Sequence, residues 1–186
     1  MSRFDFIATP LAGVMLVQRQ RLEDDRGFLS RMYCRDEFAA AGVEQSLAQI
    51  NHTLTRHRGT VRGLHFQHPP HAETKLVSCM RGEVFDVAVD LRRGSPTLGR
   101  WHAEVLSAEN ARSLLIPEGM AHGFQAVTDD CELVYLHTAA FEPAAEGVFN
   151  ALDPRLGIAW PLSVAARSDR DRRAANVPAD FPGVAG

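Results

Sequence analysis

One short segment, Arg62–Lys75, gathers the residue types that acid–base or metal chemistry would use. It holds His65, His68 and His71, one carboxylate, and Lys75, the only lysine among the 20 basic residues of the chain. Imidazole takes up and releases protons near neutral pH, and clustered imidazoles also bind metals. Because the chain otherwise uses arginine, the lone lysine suggests a need for a compact, tunable ammonium. The segment therefore indicates either acid–base catalysis beside a fixed cation or a metal site.

The spacing of the three histidines argues against a shared metal. Ligands two residues apart point to one face of a strand, whereas these histidines lie three apart, and Pro69-Pro70 would break the strand between them. We therefore expect no metal, and we expect His68 and His71 to be exposed in a proline-containing loop.

His65 differs because it lies inside a strand-like run. Its neighbours Leu64 and Phe66 point to the opposite face, so His65 points with Gly63 and Gln67 into whatever its own face lines. Two interpretations stay open from this spacing: a core histidine with satisfied hydrogen bonds, or a base at the wall of a barrel interior.

Two strands are predicted directly after this segment. The run Lys75–Met80 meets Arg81-Gly82, and an alternating run Glu83–Leu91 follows, which predicts a hairpin. An ionised carboxylate in the middle of a strand needs a partner, so Asp86 is given a supporting role, whereas Asp90, nearer the strand end, is expected to be solvated.

Length and composition bound the class of protein. The chain has 186 residues, is 45% hydrophobic and 23% charged, and carries a formal charge of −3. We expect a single domain over residues 1–186 that binds neither nucleic acid nor membranes. No apolar run approaches the roughly 18 residues of a membrane span, and Met1–Pro10 lacks a signal peptide's apolar core. A cytoplasmic location is expected.

The periodicity along the chain predicts a mainly β protein. Short strands alternate with turn signals at roughly 8–12-residue spacing, which is typical of a sandwich or barrel of the jelly-roll kind. Only Arg35–Ala41 and a short stretch near Ser168–Ala174 indicate helix. The other predicted strands are Gly13–Arg21, Phe28–Tyr33, Ser46–Leu54, Val61–Gln67, Arg100–Leu106, Ala111–Ile116, Gly123–Val127 and Leu133–Thr138.

The stretch Ile116–His122 resembles the second motif of the cupin superfamily, with a proline, a glycine two residues on and a histidine three further. The first cupin motif ends with a metal-binding glutamate seven residues before a glycine. Counting back from Gly82, that position holds Lys75, and a cation there indicates a metal-free barrel. The resemblance implies a cupin-type jelly-roll barrel with a few short peripheral helices.

More specifically, the chain resembles the dTDP-4-dehydrorhamnose 3,5-epimerase family from about Asp25 to Asp171. The motifs that carry this resemblance, in order, are Asp25-Arg26-Gly27-Phe28, Gln49-Ile50-Asn51, Arg62-Gly63-Leu64-His65, Lys75-Leu76-Val77, Val84–Asp90, Gly94-Ser95-Pro96-Thr97, Leu106–Asn110, Pro117–Phe124, Asp153-Pro154, Trp160-Pro161 and Ser168-Asp169. Each motif alone is weak, but their number and order make the assignment specific.

The resemblance implies a nucleoside diphosphate 4-keto-6-deoxyhexose as substrate and inversion at carbons 3 and 5 without a cofactor. His65 takes the position of the base and Asp169 that of its orienting carboxylate. Lys75 would face the enolate oxygen, and Tyr135 would return the proton from the opposite side. Alternatives stay open for two of them, because Asp169 could cap the short helix and Tyr135 could be a core aromatic.

The resemblance also implies the residues that hold the nucleotide sugar. They are Arg26, Gln49, Asn51, Arg62, His122 and Glu146, together with Arg31 and Phe141 at two positions where the family usually has glutamate and tyrosine. An arginine only donates hydrogen bonds and a phenylalanine has no hydroxyl, so the nucleotide base is less certain than the reaction class. The family further implies a homodimer in which an N-terminal segment completes the partner's site.

Three alternatives to the 3,5-epimerase follow from the sequence. They are an epimerase that acts at one carbon or on another nucleotide sugar, a non-catalytic cupin that binds sugar nucleotides, and a metal-dependent cupin.

Overall fold

The structure, a computed structural model, describes residues 2–185. The strands are β1 (Phe4–Ala8), β2 (Met15–Arg19), β3 (Arg21–Asp24), β4 (Gly27–Ser30), β5 (Gln49–Thr55), β6 (Val61–Gln67), β7 (Lys75–Arg81), β8 (Glu83–Asp90), β9 (Trp101–Ser107), β10 (Arg112–Ile116), β11 (Met120–Ala126), β12 (Cys131–His137) and β13 (Glu146–Val148). The helices are α1 (Arg35–Ala40), α2 (Asp169–Arg173) and a 3-10 turn at Pro143–Ala145. Met1 and Gly186 lie outside the described residues, and the single domain over 1–186 stays a prediction.

The strands form two antiparallel sheets with the main core between them. One sheet has the order β1-β2-β10-β7-β12-β5, and the other has the order β13-β6-β11-β8-β9. Val77 and Leu114 of the first sheet pack with Ala88 and Phe124 of the second. Two sheets that bury their inner faces against each other satisfy the alternating pattern of the strands. The predicted jelly-roll architecture, mainly β with short helices, is confirmed.

The predicted hairpin of β7 and β8 is wrong. β7 pairs with β10 and β12, whereas β8 pairs with β9 and β11 in the other sheet. The turn at Arg81-Gly82 therefore carries the chain from one sheet to the other. Alternation within a strand shows which residues share a face, but it does not show which strand is the neighbour.

The two faces of β8 are as predicted, and both are buried. Val84 and Ala88 contribute to the core between the sheets, and Val87 and Val89 pack in a second cluster outside the five-stranded sheet. The prediction for Asp90 is wrong, because its carboxylate is buried and accepts hydrogen bonds from the side chains that follow it: Arg92, Ser95 and Thr97.

Three strands were not predicted as separate elements: β1, β3 and β13. β3 and β4 form a two-stranded sheet apart from the two large ones. The predicted strand Gly13–Arg21 contains β2 and extends only to the first residue of β3, and Val61–Gln67 is observed with the predicted bounds. Both predicted helices are present, each shorter than expected.

The C-terminal segment covers the outer face of the five-stranded sheet. Trp160 packs edge-on against Phe85 of β8, and Phe181 packs against Phe149. This cover brings α2 into contact with β6, the strand that carries His65. Within residues 2–185, none of the helices is long and apolar enough to cross a membrane.

Candidate active site

A cleft of about 250 Å³ opens between the inner faces of the two sheets. Eight of the residues predicted to form the site line it: Asn51, Arg62, His65, Lys75, His122, Tyr135, Phe141 and Glu146. His65 comes from β6 in the five-stranded sheet, whereas Lys75 and Tyr135 come from β7 and β12 in the six-stranded sheet. Groups from the two sheets therefore face each other across the space where a substrate would lie.

His65 is held by a buried carboxylate. Its Nε2 lies 2.7 Å from Oδ1 of Asp171, whose side chain is only 2% exposed. Burial by itself would raise the pKa of Asp171, but hydrogen bonds from His65 and the Gly63 amide hold that pKa below its usual value. The carboxylate is thus ionised and accepts the Nε2 proton, which leaves Nδ1 as the ring nitrogen with a free lone pair.

The prediction that Asp169 orients His65 is wrong. The side chain of Asp169 is 71% exposed and forms an ion pair with Arg172. Both aspartates belong to α2, in which Ser168 caps the helix by accepting a hydrogen bond from the Asp171 amide. A difference of two residues in a helix reverses the direction of the side chain, so Asp171 faces β6 and Asp169 faces solvent.

Asp171→Asn is expected to lower the rate of substrate proton exchange by roughly two to four powers of ten, because an amide no longer fixes the histidine tautomer or stabilises the imidazolium. Asp169→Asn is the matched control in the same helical turn and should leave the rate within about twofold, as is usual for exposed substitutions. Exchange rates in deuterated water measure both variants. An equal loss in the two variants would contradict the assignment of Asp171.

Lys75 is buried and anchored by hydrogen bonds. Its Nζ lies 2.9 Å from Oε1 of Glu73 and donates towards the backbone carbonyl of His65 at 3.5 Å. The second oxygen of Glu73 lies 2.7 Å from Nδ1 of His137. Sequence reasoning missed Glu73 and assigned no role to His137, although both line the cleft.

Tyr135 projects from β12 towards the core cluster between the sheets. Burial of the phenol, together with the nearby Asp86 carboxyl, raises the pKa of Tyr135. The hydroxyl therefore stays protonated at neutral pH, which is the state required of a proton donor.

Asp86 is fully buried and supports His122. Its Oδ1 lies 2.8 Å from Nε2 of His122, the residue opposite His65 on the adjacent strand. Burial raises the pKa of Asp86, and its Oδ2 has no hydrogen-bond partner among residues 2–185. The partner expected for this mid-strand carboxylate is therefore present.

At the other end of the cleft, amide side chains form a small network. Gln49 donates to Oδ1 of Asn51 at 3.1 Å and accepts from the backbone amide of Phe141 at 3.0 Å. The ring of Phe141 remains half exposed at the cleft mouth. Gln49 itself does not line the cleft, so it positions Asn51 and Phe141.

Arg62, Arg170 and Glu146 bring charge to the cleft. Arg170 pairs with Glu146 at 2.7 Å, and its Nη2 also lies 2.9 Å from Nε2 of His65. Because the Nε2 proton is directed to Asp171, this second approach is a contact between two donors and not a hydrogen bond. Sequence reasoning missed Arg170. The run Asp169–Arg173 consists only of charged residues, so the sequence does not show which of them faces the protein. The contact of α2 with β6 decides it.

Two predicted binding residues lie away from the cleft of their own chain. Arg26 is exposed at the β3–β4 turn and pairs with Asp24. Arg31 follows β4 and pairs with Glu37 of α1. Within residues 2–185, neither arginine lines the cleft.

The histidine cluster considered for metal binding is divided by the fold. His65 lines the cleft, whereas His68 and His71 are exposed in the loop after β6. Among residues 2–185, no three His, Cys, Asp or Glu side chains are grouped as they would be around a metal ion.

The fold and the site together define a jelly-roll protein equipped for acid–base chemistry, with a histidine–carboxylate pair opposite a lysine and a tyrosine. The sequence model of the dTDP-4-dehydrorhamnose 3,5-epimerase family matches residues 8–178. The dTDP-4-dehydrorhamnose 3,5-epimerase of Pseudomonas aeruginosa is 46% identical over 170 residues, which are 89% of this chain and 93% of that protein. The chain belongs to the dTDP-4-dehydrorhamnose 3,5-epimerase family and is an isomerase.

Two solved structures are similar over most of their length. The dTDP-6-deoxy-D-glucose-3,5-epimerase of Legionella pneumophila, in complex with dTDP-4-keto-L-rhamnose, gives a TM-score of 0.91 at 34% identity and covers 97% of this chain and 98% of its own. A 3′-monoepimerase of Streptomyces bikiniensis, in complex with dTDP-quinovose, gives a TM-score of 0.86 at 36% identity. The match covers 91% of this chain and 86% of that protein.

Proposed function

We propose that this protein epimerises a nucleoside diphosphate 4-keto-6-deoxyhexose without a cofactor, with dTDP-4-dehydro-6-deoxy-D-glucose as substrate and dTDP-4-dehydro-L-rhamnose as product. One observation carries the proposal: His65, fixed by Asp171, faces Lys75 and Tyr135 from the opposite sheet across one cleft. Inversion next to a ketone needs a base, a stabiliser of the enolate and an acid on the other side of the ring.

The proton transfers assign one task to each residue. His65 removes the proton from the carbon next to the ketone, and the electron pair moves to form the enolate. The Lys75 ammonium stabilises the negative oxygen, and the Asp171 carboxylate stabilises the imidazolium. Tyr135 donates a proton to the opposite face of the same carbon, which inverts it. Reprotonation of Tyr135 from solvent and loss of the imidazolium proton restore the site.

Charge and shape support a nucleotide sugar as the occupant. Arg62 and Arg170 are the cleft arginines, and the planar guanidinium can grip diphosphate oxygens in pairs. Phe141, half exposed at the mouth, can stack on a nucleotide base. Glu146 lies 2.7 Å from Arg170 and offsets part of this positive charge.

Inversion at both carbons is tested by trapping the products. Incubation with the substrate, reduction with borohydride and sugar analysis would yield L-rhamnose if carbons 3 and 5 are both inverted. A 6-deoxyhexose inverted at only one of the two carbons would instead favour a mono-epimerase, the activity of the Streptomyces bikiniensis relative. Recovery of only the reduced starting sugar, also with UDP-, CDP- and GDP-linked substrates, would contradict the proposal and favour a binding protein.

We also propose a homodimer in which the β3–β4 hairpin of one copy brings Arg26 and Arg31 to the cleft of the other. The hairpin forms its own sheet and exposes Leu22, Phe28 and Leu29, and the edge strand β5 exposes Ile50. Exposed apolar side chains and a free strand edge favour pairing between copies.

The dimer is expected to have twice the chain mass of 20.5 kDa in sedimentation equilibrium. Replacement of Phe28 and Leu29 by serine should shift the protein towards monomer, because it removes the apolar contact. A wild-type monomer that retains full activity would contradict the dimeric site.

A cytoplasmic location, the lack of a cofactor or metal, and the lack of nucleic-acid partners stay predictions.

A further inference from the structure

The Lys75 ammonium lies where a charge is costly. The residue is 6% exposed, between the two sheets. A buried ammonium without a counter-charge tends to lose its proton, and neutral lysine would be a weaker stabiliser of an enolate. The chain must therefore supply a group that holds the proton on this side chain.

The structure assigns that task to Glu73: we propose that Glu73 is a positioning residue that keeps Lys75 protonated and aimed across the cleft. The importance of Lys75 rests on the proposed function, but its protonation does not. Glu73 precedes β7 and lies two residues from Lys75.

Both oxygens of Glu73 are engaged, so the carboxylate is fixed. Oε1 contacts Lys75 Nζ at 2.9 Å, and Oε2 contacts Nδ1 of His137 at 2.7 Å. His137 lies directly opposite Lys75 in the β7–β12 pair. Its Nε2 lies 3.5 Å from the side-chain amide nitrogen of Asn51, a donor, so the contacts of the ring suit donation to Glu73 through Nδ1 and acceptance from Asn51 through Nε2.

The carboxylate of Glu73 is ionised. Burial alone would raise its pKa, but the His137 hydrogen bond and the Lys75 charge hold that pKa below its usual value. The charge of Glu73 is therefore present throughout the neutral range and opposes loss of the Lys75 proton.

Other titratable groups near Lys75 do not replace Glu73. From the packed strands these groups are His65 of β6, Asp86 of β8, His122 of β11, and Tyr135 and His137 of β12. The cleft also holds Arg62 of β6, Glu146 of β13 and Arg170 of α2. The carboxyls other than Glu73 are already paired, Asp86 with His122 and Glu146 with Arg170. Glu73 is thus the carboxylate in direct contact with the ammonium.

The same contacts set the direction of Lys75. An ammonium has three N–H groups. One is directed to Glu73, and a second points towards the His65 carbonyl at 3.5 Å. The third remains for an oxygen in the cleft, and an anchored donor needs little reorganisation when charge develops on that oxygen.

Because Lys75 is the only lysine, its titration can be followed without assignment. Full-length protein labelled with ¹³C,¹⁵N-lysine gives one side-chain amine signal in NMR. In Glu73→Gln, the midpoint of its pH titration is expected to fall by about 1–3 units relative to wild type, the usual effect of removing an adjacent opposite charge. Glu73→Asp, which keeps the charge on a shorter side chain, should give an intermediate midpoint.

Glu104→Gln is the matched control. Glu104 forms a similar pair with His102 at 3.0 Å on β9, away from the cleft, and its loss should leave the Lys75 midpoint unchanged. An unchanged midpoint in Glu73→Gln overturns the proposal, as does a Glu73→Asp midpoint no higher than that of Glu73→Gln.

Activity gives a second reading. In Glu73→Gln, kcat for substrate proton exchange should begin to fall at a pH about 1–3 units lower than in wild type, with KM changed less than about twofold at neutral pH. A uniform loss at all pH values would indicate a merely structural role and overturn the proposal. If wild-type protein exchanges no proton with any nucleotide sugar, the proposed function fails, whereas the NMR comparison still tests the role of Glu73.

Discussion

His65→Ala is expected to lower proton exchange at the carbons next to the substrate ketone by roughly two to four powers of ten, the usual contribution of a positioned general base. The imidazole of His65 is held by the Asp171 carboxylate and lines the cleft. Nucleotide binding should be nearly unchanged, because the charged groups assigned to the diphosphate, Arg62 and Arg170, remain. Proton NMR in deuterated water measures exchange, and calorimetry with dTDP measures binding.

His68→Ala is the matched control, since His68 lies three residues on and is exposed. Its exchange rate should equal that of wild type. Retained exchange in His65→Ala would refute the role of His65 as the base, whereas a parallel loss of dTDP binding would show that the substitution had damaged the site as a whole.

Lys75→Met is expected to reduce the exchange rate by about two to three powers of ten, the usual cost of removing one preorganised donor to an oxyanion. Methionine has a similar length and no charge, so the cleft stays filled. Lys75→Arg should restore only part of the rate, because a planar guanidinium in this buried position has a different donor geometry.

Arg81→Met serves as the control for Lys75. Arg81 ends the same strand, but its side chain is 63% exposed. Its loss should leave both exchange and stability nearly unchanged. If Lys75→Met exchanged substrate protons as fast as Arg81→Met, enolate stabilisation by Lys75 would be excluded.

Features of a strand that depend only on its own residues were predictable from the sequence. In the second half of Val61–Gln67, Leu64 and Phe66 alternate with His65, and the strand ends at a proline loop, so its bounds and the direction of His65 follow from local sequence. The position of Arg62 does not follow, because regular alternation would place it on the face opposite His65, yet both line the cleft. Asp86 was predictable in the same way, because a carboxylate in the middle of a buried strand requires a partner.

Features that depend on how distant segments pack were not predictable. The turn after β7 has the local chemistry of a hairpin, yet the chain crosses to the other sheet there. Asp169 and Asp171 lie in the same helical turn, and only the contact of α2 with β6 shows which of them faces His65. Likewise, Glu73 and His137 are distant in sequence, and the β7–β12 register brings them together.

The central claim is that His65 and Tyr135, on opposite sides of one cleft, exchange protons at carbons next to a ketone. The most direct measurement is proton NMR of dTDP-4-dehydro-6-deoxy-D-glucose with the purified protein in deuterated water. The signals to follow are those of the hydrogens on carbons 3 and 5. We predict that both signals disappear at a rate that depends on His65. Persistence of both signals, while the protein binds the same nucleotide sugar, would contradict the claim.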